Sequence, residues 1–404
     1  AVGAAVGPIV GGFFTTFYSW RWAFRTELLI VIIVLILSRT LTRDRLPEHR
    51  PRFDFLGALL SILGWSTIVF GILLAQSYGL FLAKKPFVIG DFEIAPLGLS
   101  ITPILVGIGL VLILLLFAWE RKQEDAGKDG LFKPSIFNTP GITAGFATRF
   151  IQVGMSAAFL YIFPLMLQLS FEFTAMQTGL ALMPFSISML VFAIIGARLS
   201  ARFFAHLIIR VGFVLAAAGL AAMAASIQPG ATFSDLVLGG LFGMGVGLIA
   251  SQILNLILSS VEPKDTAETA GLSSTFEQLG NSIGVALVGT VMLSTLATGL
   301  SQGINNSEVL PPESKAPLIS AAEQGVQLMS DTQFQDGLEE AGADPIMGDE
   351  LEAIYSQSRT AAFDAGIALL IYASVVGLVI TLGLPKRKLV DAQESEPAQA
   401  AAPS

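Results

Sequence analysis

Chemistry in this chain has to come from a few polar groups set inside long apolar stretches. Arg149, Gln152 and Ser156 recur at i, i+3 and i+7, so they share one helical face, which Phe159, Tyr161 and Phe163 broaden with rings. Gln168 lies near the far end of the same stretch. Gln252 and Asn255 share a second face, and Ser274, Glu277, Asn281 and Gly284 share a third. An ionisable group inside a membrane span costs at least about 2.5–3.5 kcal/mol on insertion scales, so it faces an aqueous cavity or a partner. Amides have a plainer alternative, which is to hydrogen-bond one helix to another. Counted from the starts of their stretches at 1.5 Å per residue, Arg149 lies about 10 Å deep and Glu277 about 12 Å deep.

Other chemistry finds little footing. Cysteine is absent, and the two histidines, His49 and His206, fall in separate connections, so neither a thiolate site nor a histidine metal pair can form. Gly243-Met-Gly245-Val-Gly247 lacks the preceding strand that a dinucleotide loop needs; in an apolar stretch its use is close helix packing, together with Gly239. Glu339 and Glu340 read as solvated loop carboxylates, and Trp119-Glu120-Arg121-Lys122 as an interfacial anchor. Asn305-Asn306-Ser307 is a glycosylation sequon, of consequence only in a host that glycosylates. An intramembrane enzyme would need a catalytic constellation at one depth, and no apolar stretch holds a histidine. A channel would need a re-entrant filter or a ring-forming repeat, and neither is visible.

The elements that must position the polar groups follow from composition. Of 404 residues, 53% are hydrophobic and 13% charged, with a mean hydropathy of +0.71, whereas soluble domains carry about 25% charged residues. The apolar residues arrive in blocks of the roughly 20 residues that cross a 30 Å hydrocarbon core as helix. The formal net charge of −8, with no basic stripe, excludes a nucleic-acid partner. The fold class is an all-α polytopic membrane protein whose first partner is the lipid bilayer, with about ten transmembrane helices. They are expected near 1–17, 23–38, 55–76, 101–119, 142–168, 176–197, 207–226, 235–258, 269–296 and 362–384. The acidic stretch 297–360, with Pro311-Pro312, reads as an exposed loop holding one short helix around Pro317–Met329. The tail after Leu389 has the composition of a disordered segment.

If the spans alternate, sixteen of the 23 basic residues fall on one side, among them Arg39, Arg121, Lys122, Arg198, Arg202, Arg210, Lys264 and Lys386. The positive-inside rule places that side, and the C-terminus, in the cytoplasm. The acidic stretch then lies outside. Residue 1 is Ala, with no charged region before the first span, so the chain is expected to begin inside a transmembrane helix of a longer parent.

That first span carries the most specific string. Gly3-Ala-Ala-Val-Gly7-Pro8-Ile-Val-Gly11-Gly12 gives a flat stripe for close helix approach, with a proline that kinks the helix. Followed by Ser19-Trp20-Arg21-Trp22-Ala23-Phe24, it resembles the antiporter motif of the major facilitator superfamily. Asp54-Phe55-Leu56-Gly57, Tyr161-Ile-Phe-Pro164-Leu-Met-Leu-Gln168, Gln177-Thr-Gly179-Leu-Ala-Leu-Met-Pro184 and Gly196-Ala-Arg198-Leu199-Ser-Ala-Arg202 extend the resemblance, as does the run from Ala270 through Gln278 to Gly284. Together, in this order, they are most similar to the fourteen-helix drug:proton antiporter branch.

The resemblance implies helices five to fourteen of such a transporter. Residues 1–40 would be the last two helices of the N-terminal bundle. Residues 41–141 would be a cytoplasmic linker, two extra central helices and their loops. Residues 142–296 would give the first five helices of the C-terminal bundle, 297–360 an extracytoplasmic acidic loop, 361–385 the last helix and 386–404 a disordered cytoplasmic tail. Arg149, Gln152, Tyr161, Gln168, Gln252, Asn255, Glu277 and Asn281 would line a cavity for small hydrophobic or cationic molecules. By the family's helix order the spans of Arg149 and Glu277 neighbour each other, so the two charges are expected to face one another directly, through Gln152 or through water. Arg198, Arg202 and Arg210 would form a cytoplasmic gate loop. The implied activity is multidrug efflux against protons at the plasma (inner) membrane, without a cofactor or metal; export of an endogenous lipid, siderophore or metabolite is the alternative. Glu27, Leu29, Ala201 and Phe204 depart from the family pattern, and Glu277 stands where a basic residue is common.

Overall fold

The structure, a computed structural model, describes residues 2–40, 53–83, 86–89, 92–94, 98–226, 237–342 and 344–386. The basic linker at 41–52, with His49, and the tail from 387 onward lie outside the described residues. Helix starts follow local chemistry. Asp54 accepts from the Gly57 amide to open α3 (Phe55–Tyr78), and Ser100 accepts from Thr102 to open α4 (Ile101–Asp125). Gly141, at φ 82°, turns the chain into α5 (Ile142–Ser170). Before α3 come α1 (Val2–Phe17) and α2 (Trp20–Ser38). A small antiparallel hairpin, β1 (Phe87–Ile89) and β2 (Phe92–Ile94), joins α3 to α4.

The expected span at 176–197 is two helices. A reciprocal Thr174/Gln177 cap starts α6 (Ala175–Ala181), and α7 (Met183–Leu199) restarts with Pro184 in its first turn, where a missing N–H does no harm. Then follow α8 (Ala205–Ser226) and α9 (Gly239–Leu258). α9 is the hub of the bundle. Its Gly243 and Gly247 meet the α7 backbone at Phe185 and Met189, and Gly245 meets α8 at Gly212 and Ala216. This is the close packing expected of that glycine run. Phe159, Phe185 and Phe242 fill the centre, with ring centroids 4.7–5.6 Å apart. Phe159 and Phe163 are each 2% exposed, so they belong to the core rather than to a cavity wall.

The stretch 297–360 is not the exposed loop its acidity suggests. α10 (Thr266–Asn306) runs far past the expected end of its span, α11 (Pro312–Gly325) and α12 (Asp331–Glu340) follow, and α13 (Pro345–Ile380) begins well before residue 361. Glu313, Asp336, Glu339, Glu340 and Asp349 are exposed on these helices, while Leu300, Ile304, Leu310, Ala322, Leu351, Ile354 and Tyr355 face inward and join the core. At 1.5 Å per residue α10 is about 60 Å long, twice a hydrocarbon core, so its end stands clear of the membrane.

Among the described residues, eight stretches are long and apolar enough to cross a membrane. The two further spans expected at the N-terminus fall short of that standard for different reasons. α1 has 16 residues, and α2 carries Arg21, Arg25 and Glu27 in its first half. α2 also buries no residue.

Candidate functional site

The seam between α5 and α10 is set by small residues. Gly154, Gly280 and Gly284 bring the two backbones together: a side chain begun at Gly154 would meet the Gly280 carbonyl at 3.0 Å, and one at Gly280 would meet the Phe150 carbonyl at 2.5 Å. One turn away Phe146 and Phe276 stack at 4.9 Å with ring planes 9° apart. Between these contacts the side chains at 149 and 277 can only point at each other.

They do. Arg149 Nη2 lies 2.6 Å from Glu277 Oε2, and Arg149 Nη1 donates to Gln152 Oε1 at 3.1 Å. The Arg149 side chain is 13% exposed and that of Glu277 is 40% exposed, so the pair is sealed on the arginine side and open on the carboxylate side. Among the described residues, Arg149 Nε has no hydrogen-bond partner. Chemically this is an anchored carboxylate on a span, with one face free for a proton, a cation or water. Asn281 sits one turn further along α10 and donates to Gln278 Oε1 at 3.2 Å.

The remaining expected residues separate. Gln252 is 1% exposed and donates to the Gly196 carbonyl at 2.8 Å, joining α9 to α7. It is a helix fastener, and Asn255, three residues on, is exposed on the other side of the same face. Tyr161 is half-buried against the core and Gln168 is exposed towards the end of α5. Arg198 is exposed in the last turn of α7 and Arg202 in the turn that follows, whereas Arg210 donates to the Thr381 hydroxyl and carbonyl at 3.3 and 3.2 Å. Arg210 therefore satisfies a backbone carbonyl that the end of α13 leaves over.

In the glycine string, Gly12 is buried and a side chain there would meet the Ala175 carbonyl at 2.5 Å, so α1 packs on α6. Gly7 and Gly11 have open space beside them; Gly3 and Pro8 lie within α1. Among the described residues no three His, Asp or Glu side chains gather as a metal-ligand set.

Two clusters were passed over in the sequence. Arg359 is 1% exposed, pairs with Asp331 at 2.9 Å and donates to the Met329 carbonyl at 2.9 Å. Tyr355 stacks on Phe334 at 4.3 Å and its hydroxyl holds Met329 and Gln327, so α12 is clamped to α13. The second cluster corrects the reading of Glu120 as an interfacial anchor: it is fully buried beside Asp54, to which Trp119 donates. The buried arginine had a signal, since Arg359 is the last charge but one before an apolar run; Glu120 had none, because it sits in an ordinary charged flank.

The apolar helices, with an ion pair joining two of them, define a polytopic helical membrane protein. The chain belongs to the Major Facilitator Superfamily, which matches residues 1–285. It is 26% identical over 321 residues to a multidrug resistance protein B homolog of Mycobacterium tuberculosis, covering 78% of this chain and 54% of that protein. It is 28% identical over 298 residues to the cephamycin export protein CmcT of Amycolatopsis lactamdurans, covering 72% and 56%. With the puromycin resistance protein pur8 of Streptomyces alboniger it shares 27% identity over 307 residues, covering 74% and 56%. The chain thus spans about half the length of these curated relatives.

Proposed function

We propose that this chain supplies the C-terminal bundle and adjoining helices of a fourteen-helix exporter that moves hydrophobic or cationic small molecules out of the cell in exchange for protons. The observation that carries this reading is the Glu277 carboxylate, held by Arg149 yet 40% exposed, on a helix of a major facilitator fold. Substrate and proton would compete for that open carboxylate while the two bundles rock about the site. The basic ends of the helices, with Arg198, Arg202 and Arg210, would face the cytoplasm. A second reading, export of an endogenous product, is favoured by relatives named for cephamycin export and as a probable actinorhodin transporter.

The test is proton-driven substrate uptake into inverted vesicles, whose outward-turned cytoplasmic face makes export appear as uptake. This chain is compared with the same chain preceded by four further transmembrane helices. Transport is expected only from the longer form, because the open flanks of Gly7 and Gly11 need a partner helix. Equal transport by both would contradict the fourteen-helix reading.

A further inference from the structure

We propose that Asp54 and Glu120 form a proton-binding clasp, in which one proton shared between the two carboxyl groups fastens the α3–α4 hairpin to the segment that leads into α5. Glu120 sits in the last turns of α4 and is 0% exposed; Asp54, at the start of α3, is 8% exposed. Glu120 Oε2 accepts from the Leu131 amide at 3.0 Å. Asp54 Oδ1 accepts from the Gly57 amide at 3.0 Å, and Trp119 Nε1 donates to Asp54 Oδ2 at 2.9 Å. Among the described residues, Glu120 Oε1 is buried and meets no donor.

The glycines explain how both groups fit. Asp54 Oδ2 and Glu120 Oε1 are the two atoms that crowd the place where a Gly57 side chain would start, and Glu120 Oε2 occupies the corresponding place at Gly130. Two oxygens that can only accept therefore share one dry space. As two carboxylates they would leave a buried acceptor unsatisfied and two like charges adjacent, which is costly. A single proton taken from water onto Glu120 Oε1 makes it a donor to Asp54 Oδ2. Asp54 keeps its charge for the Gly57 and Trp119 donors, and Glu120 Oε2 keeps Leu131. Paired carboxyls that share a site hold one proton for this reason.

The surroundings leave that proton to the pair. Arg121 and Lys122 follow on α4 and are exposed, as is Asp129 in the segment beyond. Glu124 accepts from the Ser135 amide and hydroxyl. Lys133 is engaged by Asp265 at 2.6 Å and Glu268 at 3.5 Å, at the start of α10. Among the described residues, Asp54 is the charged group that acts on Glu120. The clasp thus heads a line of contacts from α3 and α4, through 131–135, to the helix that carries Glu277. Loss of the proton would loosen that line at its first link. The inference stands on this geometry alone and holds whatever the protein transports.

Trp119 reports on the clasp directly. The full chain is prepared with Trp20→Phe, Trp22→Phe and Trp65→Phe, and its fluorescence is followed from about pH 5 to about pH 9, above ordinary glutamate ionisation. The expected result is one step within that range. Glu120→Gln should abolish the step, since its amide donates to Asp54 at every pH, and Asp54→Asn should move it to lower pH, because the neighbouring charge is gone while Glu120 stays buried. Infrared spectra of the unmutated chain should carry a protonated-carboxyl band at neutral pH that is lost on alkaline titration and is missing in Glu120→Gln. A flat fluorescence profile, a step that survives Glu120→Gln, or the absence of that band from the unmutated chain would each overturn the proposal.

Discussion

Among the described residues two arginine–carboxylate pairs cross helix seams, and their arginines are held differently. Arg359 is buried to 2% of its side chain, and its guanidinium is used by Asp331, the Met329 carbonyl and the face of Tyr355 at 5.6 Å. Arg149 is held by a single carboxylate and a single amide, and the carboxylate is 40% exposed. The first pair buries its guanidinium and divides it among a carboxylate, a carbonyl and a ring, which holds α12 to α13, with the Asp331 side chain itself 35% exposed. The second leaves a charged oxygen on offer. The two carboxylates are similarly exposed, at 40% and 35%; the burial of the arginine and the number of groups it serves are what differ between the pairs.

The sharpest way to break the comparison is at the sealed pair. Arg359→Met strands Asp331 and uncaps Met329, and removing one partner of a buried pair costs about 3–5 kcal/mol. Thermal unfolding in detergent should register that loss, and protease should cut between α11 and α13. Asp331→Leu in the same chain should restore most of it. Glu277→Gln should change unfolding far less, because its carboxylate already meets the open side. A smaller effect is expected at Gly284. A Leu there has no room against Gly154, and overpacking of a filled seam costs about 1–3 kcal/mol. Spin labels placed on α5 and α10 should move apart as Arg149 and Glu277 separate.

The smallest effect belongs to Lys133, whose side chain is 46% exposed. Its hydrogen bond to Asp265 raises its pKa above the usual lysine value, with Glu268 adding to the shift and partial burial opposing it. A raised lysine contributes in full below its unfolded pKa and loses that contribution as pH rises through the folded one. Hydrogen-exchange protection at the start of α10, taken relative to the base-catalysed intrinsic rate, should therefore stay constant through neutral pH and fall at strongly alkaline pH. Lys133→Ala should leave thermal stability within about 1 kcal/mol, as exposed pairs do.

How much of this was legible in the sequence depended on what carried the signal. Long apolar runs fixed the spans from α3 to α9 to within a few residues, and turn signals such as Gly141 fell where helices begin. The acidic stretch 297–360 misled because charge was read as exposure. Amphipathic helices hide their apolar face behind such charge, and the pairing of Leu300 and Ile304 with Leu351 and Ile354 is a long-range fact. Within the site, Arg149 and Glu277 stood out because isolated charges in spans must be answered. Gln252 did not declare its role, because a buried amide looks the same in sequence whether it meets a substrate or the Gly196 carbonyl. Glu120 was hidden for the converse reason, a buried acid in a flank full of exposed charges.

The central claim is that Glu277 is a working carboxylate and not a strut. The measurement that tests it most directly is efflux of a lipophilic cation from proteoliposomes holding the fourteen-helix form, with Glu277→Gln, Arg149→Gln and the double variant side by side, all matched for folded protein. If the carboxylate meets substrate or proton, Glu277→Gln folds normally and loses cation efflux, and adding Arg149→Gln recovers nothing. If Glu277→Gln instead folds poorly and Arg149→Gln restores both yield and efflux, the pair is a fastener like Arg359 and Asp331, and the claim is wrong.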